Sequence, residues 1–271
     1  MLGKLLKHEF TATGRIMLPI YGAVVILTVL VNLSVRFMDS TSITALRILF
    51  GLIIFAFFMG IVAAAVITAV IMILRFYRSL LKEQGYLMHT LPVTVHGHIW
   101  SKLIVSLVWF AATFLIVLLA IALTALIQSG TDLGAMMAEL PTWSEFRQML
   151  AEAGISGGDL TLAGLEALAY AILTCLVTCL HFYAAMTLGH MFSRSKVLLS
   201  VVFFVVISIL FSILETGMAA NVVRSVAHAE HASGLIVEIH RGGGVMLLVQ
   251  LVKAGLLYAA TALGLQKGLN L

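Results

Sequence analysis

Lys253 lies inside an apolar run, Val245 to Leu265, and Glu215 lies towards one end of another, Val197 to Ala219. A charge in such surroundings is costly to desolvate, so it is paired, reaches for a polar boundary, or serves a function that needs it. Three uses are open to Lys253: lining a polar path, pairing with Glu215, or snorkelling to the nearer surface. His181 and His190 share a third apolar run, about Leu160 to Phe192. They have the chemistry of a proton relay, but hydrogen bonding to a neighbouring helix is the simpler use. Cys175 and Cys179 stand one helical turn apart in the same run and read as small buried apolar side chains; nothing suggests a disulfide framework. His228, Glu230, His231, Glu238 and His240 gather in a polar stretch without HEXXH and with loose spacing, so a solvated loop is expected and no metal is assigned. Gly242 to Gly244 is not followed by the lysine and hydroxyl residue of a phosphate loop, and no GxxxxGK[ST] occurs anywhere in the chain. ATP hydrolysis, and indeed enzymatic activity, is therefore not expected of this chain.

The elements that hold these residues follow from composition. Of 271 residues, 62% are hydrophobic and 10% charged, far from the average soluble domain. Burial in water cannot absorb that apolar surface, whereas helices in lipid can, because their backbone hydrogen bonds are internal. The strict polar–apolar alternation of a β-barrel is missing. The expectation is an all-α integral membrane protein with six transmembrane helices, and the net charge of +4 is assigned to membrane topology, not to nucleic acid.

In chain order, Leu2, Leu5, Leu6 and Phe10 fall on one helical face with Lys4, Lys7 and His8 elsewhere, which predicts an amphipathic helix over about 1–15 lying in the headgroup plane. The apolar run from Ile16 continues for a full span with no prompt small-x-small pattern, so a cleaved signal peptide is not expected. Spans are predicted at about Ile16–Val35, with Pro19 in the first turn, then Ile48–Leu74, Ile99–Ile127, Leu160–Phe192, Val197–Ala219 and Val245–Leu265. Two longer polar connections, 129–161 and 220–244, lie on one side. The first carries Thr142 and Glu145 at capping-box spacing ahead of a short helix, Trp143 to Ala153, ended by Gly154, Gly157 and Gly158, with Asp159 as cap of the fourth span. Met136, Met137, Trp143, Phe146 and Met149 give this loop an apolar surface suited to an amphipathic substrate or to resting on the bilayer. Gly51, Gly60 and Ala63 to Ala65 give the second span a small face, either for a dimer seam or for packing within one subunit. The side with both termini holds ten of the counted Lys and Arg residues against five opposite, which predicts cytoplasmic termini.

The longest polar interruption on that side is Arg75 to Lys102, RFYRSLLKEQGYLMHTLPVTVHGHIWSK. Arg75, Arg78 and Lys82 are cationic, Gly85 loosens the helix, and Tyr86, Leu87, Met88 and Leu91 form an apolar knob before Pro92 stops it; Thr94 is placed to cap the next helix. A basic N-terminal segment leading into six spans, with the second closing on RFYRSLLKEQGYLMHTLPVT and the third opening on HIWSKLI, resembles the permease subunits of type-2 ABC exporters of Gram-positive bacteria over essentially the whole chain. The resemblance implies a single permease domain over 1–271 whose segment 75–98, through Glu83, Gly85, Tyr86, Leu87, Met88, Leu91 and Pro92, is a coupling helix received by a separate ATPase subunit. It further implies two copies of that ATPase carrying ATP and Mg, no cofactor on this chain, and a second permease copy, identical or paralogous. The place implied is the bacterial cytoplasmic membrane, and the activity is export of antimicrobial peptides, drugs or lipid-linked molecules, with antimicrobial-peptide resistance as a role. Two rival classes stand beside it. An autonomous secondary transporter or channel would show matching broken helices and several midplane charges, where this chain offers Lys253. An intramembrane enzyme would need convergent His and acidic residues at one depth, and the acidic residue in the run of His181 and His190, Glu166, stands well before both of them.

Overall fold

The computed structural model describes residues 2–38, 40–81, 94–129, 141–152, 154–192, 195–227 and 232–267. They form seven α-helices: α1 (Leu2–Met38), α2 (Thr44–Phe76), α3 (Val95–Ser129), α4 (Trp143–Glu152), α5 (Gly157–His190), α6 (Lys196–Ala227) and α7 (Ala232–Lys267). A π-helical turn, Tyr77–Leu81, continues α2. Every helix except α4 is long and apolar enough to cross a membrane, and much of its apolar surface faces outward. That is the arrangement of a multi-pass membrane protein, in which lipid replaces a dry core as the place for Leu, Ile, Val and Phe.

The chain divides into two compact units, Met1–Leu74 with Trp100–Leu140, and Arg75–Ile99 with Pro141–Leu271. In the first, α1 packs on α2 through Val24, Val31, Phe57 and Ala64, with Ala120 of α3 joining them. A Cβ on Gly60 would lie 2.5 Å from Leu27 Cδ1, so the small face of α2 at Gly60 and Ala64 is used inside the subunit against α1. Gly51 of the same expected seam meets nothing, and Ala63 and Ala65 are exposed. Polar side chains tie α1 to α3 along one face. Trp109 Nε1 donates to Thr13 Oγ1 (2.8 Å), the Tyr21 hydroxyl bonds Thr113 Oγ1 (2.9 Å), and Asn32 Nδ2 donates to Thr124 Oγ1 (3.3 Å). Thr68 of α2 joins this seam at Thr113, 3.0 Å away.

Several expected boundaries move, each for a local reason. Residues 2–38 are one unbroken helix, so the expected surface helix and first span are continuous, and Pro19 sits in the helix interior, not in a first turn. An interior proline costs one backbone hydrogen bond, which long membrane helices tolerate. The gap of 36–47 left between the first two expected spans shrinks because α1 runs to Met38 and α2 starts at Thr44; Arg47 Nε donates to the Thr41 carbonyl (2.7 Å) across what remains. Thr142 and Glu145 form their capping box, with the Thr142 N–H donating to Glu145 Oε2 at 2.7 Å, and that bond holds the Glu145 carboxyl below the usual carboxylate range. Gly154, at φ 72°, ends α4, but Gly157 and Gly158 already belong to α5. The N-cap of α5 is Ser156, and Asp159 is the returning acid of its capping box, not the cap itself.

The largest departure is at 220–244, expected as a loop. Most of it is helix: α6 runs on to Ala227, α7 begins at Ala232, and Glu238 and Arg241 pair one turn apart at 3.7 Å. Two of its glycines are contact points. A Cβ on Gly242 would collide with Val222 of α6, and one on Gly243 would come within 3.0 Å of the Glu166 carboxylate of α5. Close approach of α5 and α6 is tighter still at the other end, where a Gly189 Cβ would stand 2.6 Å from Ser200 Cα. Because backbone atoms as well as the Ser200 hydroxyl block it, Gly189→Val is expected to destabilise the protein by about 1–3 kcal/mol, seen as a lowered unfolding midpoint in detergent, whereas Gly217→Ala, in a helix interior with nothing within 4 Å of its Cβ, should hold or slightly raise the midpoint.

Candidate functional site

Two features of the second unit join chemistry to position. The first is the seating of the residues that flank 82–93. Phe76, fully buried, stacks flat on Tyr183 of α5, rings 3.8 Å apart and 7° from parallel. The π-helical turn that follows widens the helix by one residue per turn. It buries Ser79, Leu80 and Leu81 and lets Tyr77 meet the His190 ring edge-on at 5.3 Å. On the far flank, Thr94 Oγ1 accepts the Gly97 N–H (3.3 Å) and so caps α3, while His96 Nδ1 bonds the Tyr258 hydroxyl of α7 at 2.7 Å. The ends of the segment thus belong to the same unit as α5 and α7. Within that unit the same end is knitted by Gly264 of α7 against Thr187 of α5. Glu83, Gly85, Tyr86, Leu87, Met88, Leu91 and Pro92 themselves lie outside the described residues.

The second feature is a polar cluster near mid-length in the three-helix arrangement of α5, α6 and α7. Lys253 Nζ of α7 is 2.6 Å from Glu215 Oε1 of α6 and 5.0 Å from the centre of the Phe211 ring. Gln250, one turn before Lys253, donates from Nε2 to the same carboxylate oxygen at 3.3 Å and approaches the Tyr170 hydroxyl of α5 at 3.5 Å. The structure therefore brings Lys253 and Glu215 together, and it adds Gln250 and Tyr170, which the sequence did not single out. The available signal was spacing: Gln250 and Lys253 fall on one helical face, and both are polar in a span that has few such residues.

The remaining candidates separate. His181 directs Nε2 at the Phe204 carbonyl and Ser208 Oγ of α6, both 3.2 Å away, so it joins helices. His190 donates from Nδ1 to the Met186 carbonyl of its own helix (2.8 Å). His240, expected in a histidine-rich loop, sits on α7 and bonds Glu166 of α5 at 3.0 Å; His228, Glu230 and His231 lie outside the described residues. Among the described residues no three His, Cys, Asp or Glu side chains gather as a metal site. Cys175 and Cys179 form no disulfide. Trp143, Phe146 and Met149 recur every third residue on α4, where Trp143 and Met149 are exposed and the Trp143 and Phe146 rings are 5.9 Å apart; Met136 and Met137 lie outside the described residues.

One buried ion pair went unread in the sequence. Lys102, the end of the polar interruption Arg75 to Lys102, is 2.9 Å from Glu9 in the first unit, and both side chains are at most 5% exposed. Glu9 is the sole acidic residue among the first 38, which was the signal available. Comparison with protein-family models, curated proteins and solved structures yields no match to this chain.

Proposed function

We propose that this chain is the transmembrane subunit of an ATP-driven type-2 ABC exporter, with 75–98 as the segment gripped by a separate ATPase. The observation that carries the reading is the seat of that segment: its flanks are bound to α5 by the Phe76–Tyr183 stack and to α7 by the His96–Tyr258 hydrogen bond. A peripheral subunit that displaced 82–93 would pull on a flat aromatic stack and a short hydrogen bond, and so on the helices that hold the Lys253–Glu215 pair. Rigid-body displacement of packed helices is the usual way such a push becomes a change in access across a membrane. In this reading Tyr86, Leu87, Met88 and Leu91 supply the buried anchors, since aromatic and aliphatic side chains dominate interface energies, and Glu83 with Gly85 and Pro92 sets the shape they are presented on. Two ATPase copies bring ATP and Mg, a second permease copy completes the path, and both termini face the ATPase in the bacterial cytoplasmic membrane. The cargo is an antimicrobial peptide, a drug or a lipid-linked molecule.

The test is recovery of an ATPase with the tagged protein from native membranes in mild detergent. An ATPase should co-purify with the natural chain, and Tyr86→Ala with Leu87→Ala should cut its recovery about tenfold or more while the permease keeps its unfolding midpoint. One observation favours a second reading, ion-coupled secondary transport: Lys253 and Glu215 pair within spanning helices, and charges placed there often mark ion pathways. Absence of any co-purifying ATPase, together with proton- or sodium-driven uptake in vesicles, would give that reading precedence.

A further inference from the structure

The two halves of the Lys253–Glu215 pair are unequally placed. The lysine side chain is 8% exposed and the glutamate 35%, so the carboxylate is the accessible charge and the ammonium lies behind it, over the face of Phe211. Glu215 Oε1 accepts from both Lys253 and Gln250, while Oε2 has no hydrogen-bond partner among the described residues. Gln250, only 4% exposed, has to turn its N–H₂ towards the carboxylate, because a carboxylate only accepts. Its carbonyl Oε1 is thereby left buried with no donor. Thr174 Oγ1, one turn along α5 from Tyr170, is also buried without a partner. Buried acceptors are almost always satisfied, so an idle one beside a buried cation marks a place that a donor visits.

We propose that Glu215 is a binding site for the protonated amine or guanidinium of a membrane-partitioning molecule, and that Lys253 is the built-in cation that occupies the carboxylate while the site is empty. The incoming N–H donors meet Glu215 first, at the free Oε2. The Lys253 ammonium then leaves Oε1 and turns to Gln250 Oε1, three residues back on its own helix and within a lysine's reach, keeping Phe211 beneath it. The carboxylate is never without a cation through the exchange, which is what the low dielectric of a membrane interior requires. An anionic headgroup is disfavoured, since it would have to pass Glu215 to reach Lys253. The apolar tail of the ligand has a place as well: Leu214, next to Glu215, and Leu251, next to Gln250, are both exposed on the outer surface of the helices. The site stands on residues of the second unit alone and needs neither an ATPase nor a transport cycle.

The probe is radiolabelled dodecylammonium, with saturable binding measured on the full-length protein in nanodiscs of phosphatidylcholine. Competition is measured with dodecyl sulfate and with dodecyltrimethylammonium, a cation that lacks N–H donors. The natural chain should bind the amine saturably, and neither competitor should displace it effectively. Lys253→Gln, which removes the resident cation, should tighten binding about tenfold, and Lys253→Arg, which grips the carboxylate with two donors, should weaken it by a similar factor. The double variant Glu215→Gln, Lys253→Gln removes both charges together, keeps the fold and should lose saturable binding. The inference is overturned by absence of saturable binding, by undiminished binding in the double variant, by equal competition from dodecyl sulfate, or by Lys253→Gln weakening binding as a merely structural ion pair would. Amine binding without a co-purifying ATPase would leave the site standing and remove the exporter reading; the reverse result would do the opposite.

Discussion

Replacing Lys102 by methionine is expected to cost the protein about 3–5 kcal/mol, the range for removing one member of a buried ion pair. Methionine conserves the length and much of the volume of the lysine stem, so packing is largely kept and the change isolates the charge. What is lost is an ammonium 2.9 Å from a carboxylate that is itself 5% exposed or less. The double variant Glu9→Gln, Lys102→Met removes both charges and should recover most of the loss, because two well-packed neutral groups of similar volume often match a buried ion pair in stability. Unfolding in mixed micelles with increasing dodecyl sulfate, followed by loss of helical circular dichroism, measures both. Equal losses in the single and double variants would show that the cost does not come from leaving the Glu9 carboxylate unpaired.

Truncating Tyr183 to alanine should be nearly as damaging, about 3–5 kcal/mol, since it empties a fully packed aromatic site. Tyr183 is 1% exposed and Phe76 is fully buried, so no water-filled or lipid-filled space stands ready to close the gap. The loss should be local as well as global. Amide exchange over Tyr77–Leu81 should accelerate more than exchange over Thr44–Leu74, because the stack fastens the π-helical turn to α5 and not the body of α2. Tyr183→Phe, which keeps the ring, should restore slow exchange there. Uniform acceleration along the whole of α2 would show that the stack has no special hold on the turn.

Six spanning helices were legible because a window of apolar residues reports membrane partition directly, whatever the tertiary contacts are. Their ends were not, for the reason that 220–244 makes plain. Gly242 and Gly243 are loop residues by propensity, yet here they serve as the flat patches against which Val222 and Glu166 are set, and polar side chains past the apolar window do not stop a helix whose backbone bonds continue. Pro19 misled in the opposite way: a first-turn preference placed a boundary where the helix passes straight through. Charge pairing divided along similar lines. Lys253 drew notice because it interrupts an apolar run, whereas Lys102, near a helix start and beside Trp100, had the look of an interfacial anchor. Its partner lies 93 residues earlier, and only the fold brings Glu9 to it.

The partners that seat the flanks of 82–93 are far apart in the chain: His96 and Tyr258 are separated by 162 residues. A membrane protein is made from its N-terminus onward, so α2 and α3 are synthesised and inserted long before α7 exists. The Phe76 ring gains its partner when α5 is made, but the His96 imidazole has no seat until α7 arrives. The two flanks of 82–93 are therefore both seated only once α7 has been made. Any subunit that binds the seated form would reject unfinished or truncated copies, so that assembly itself would act as quality control.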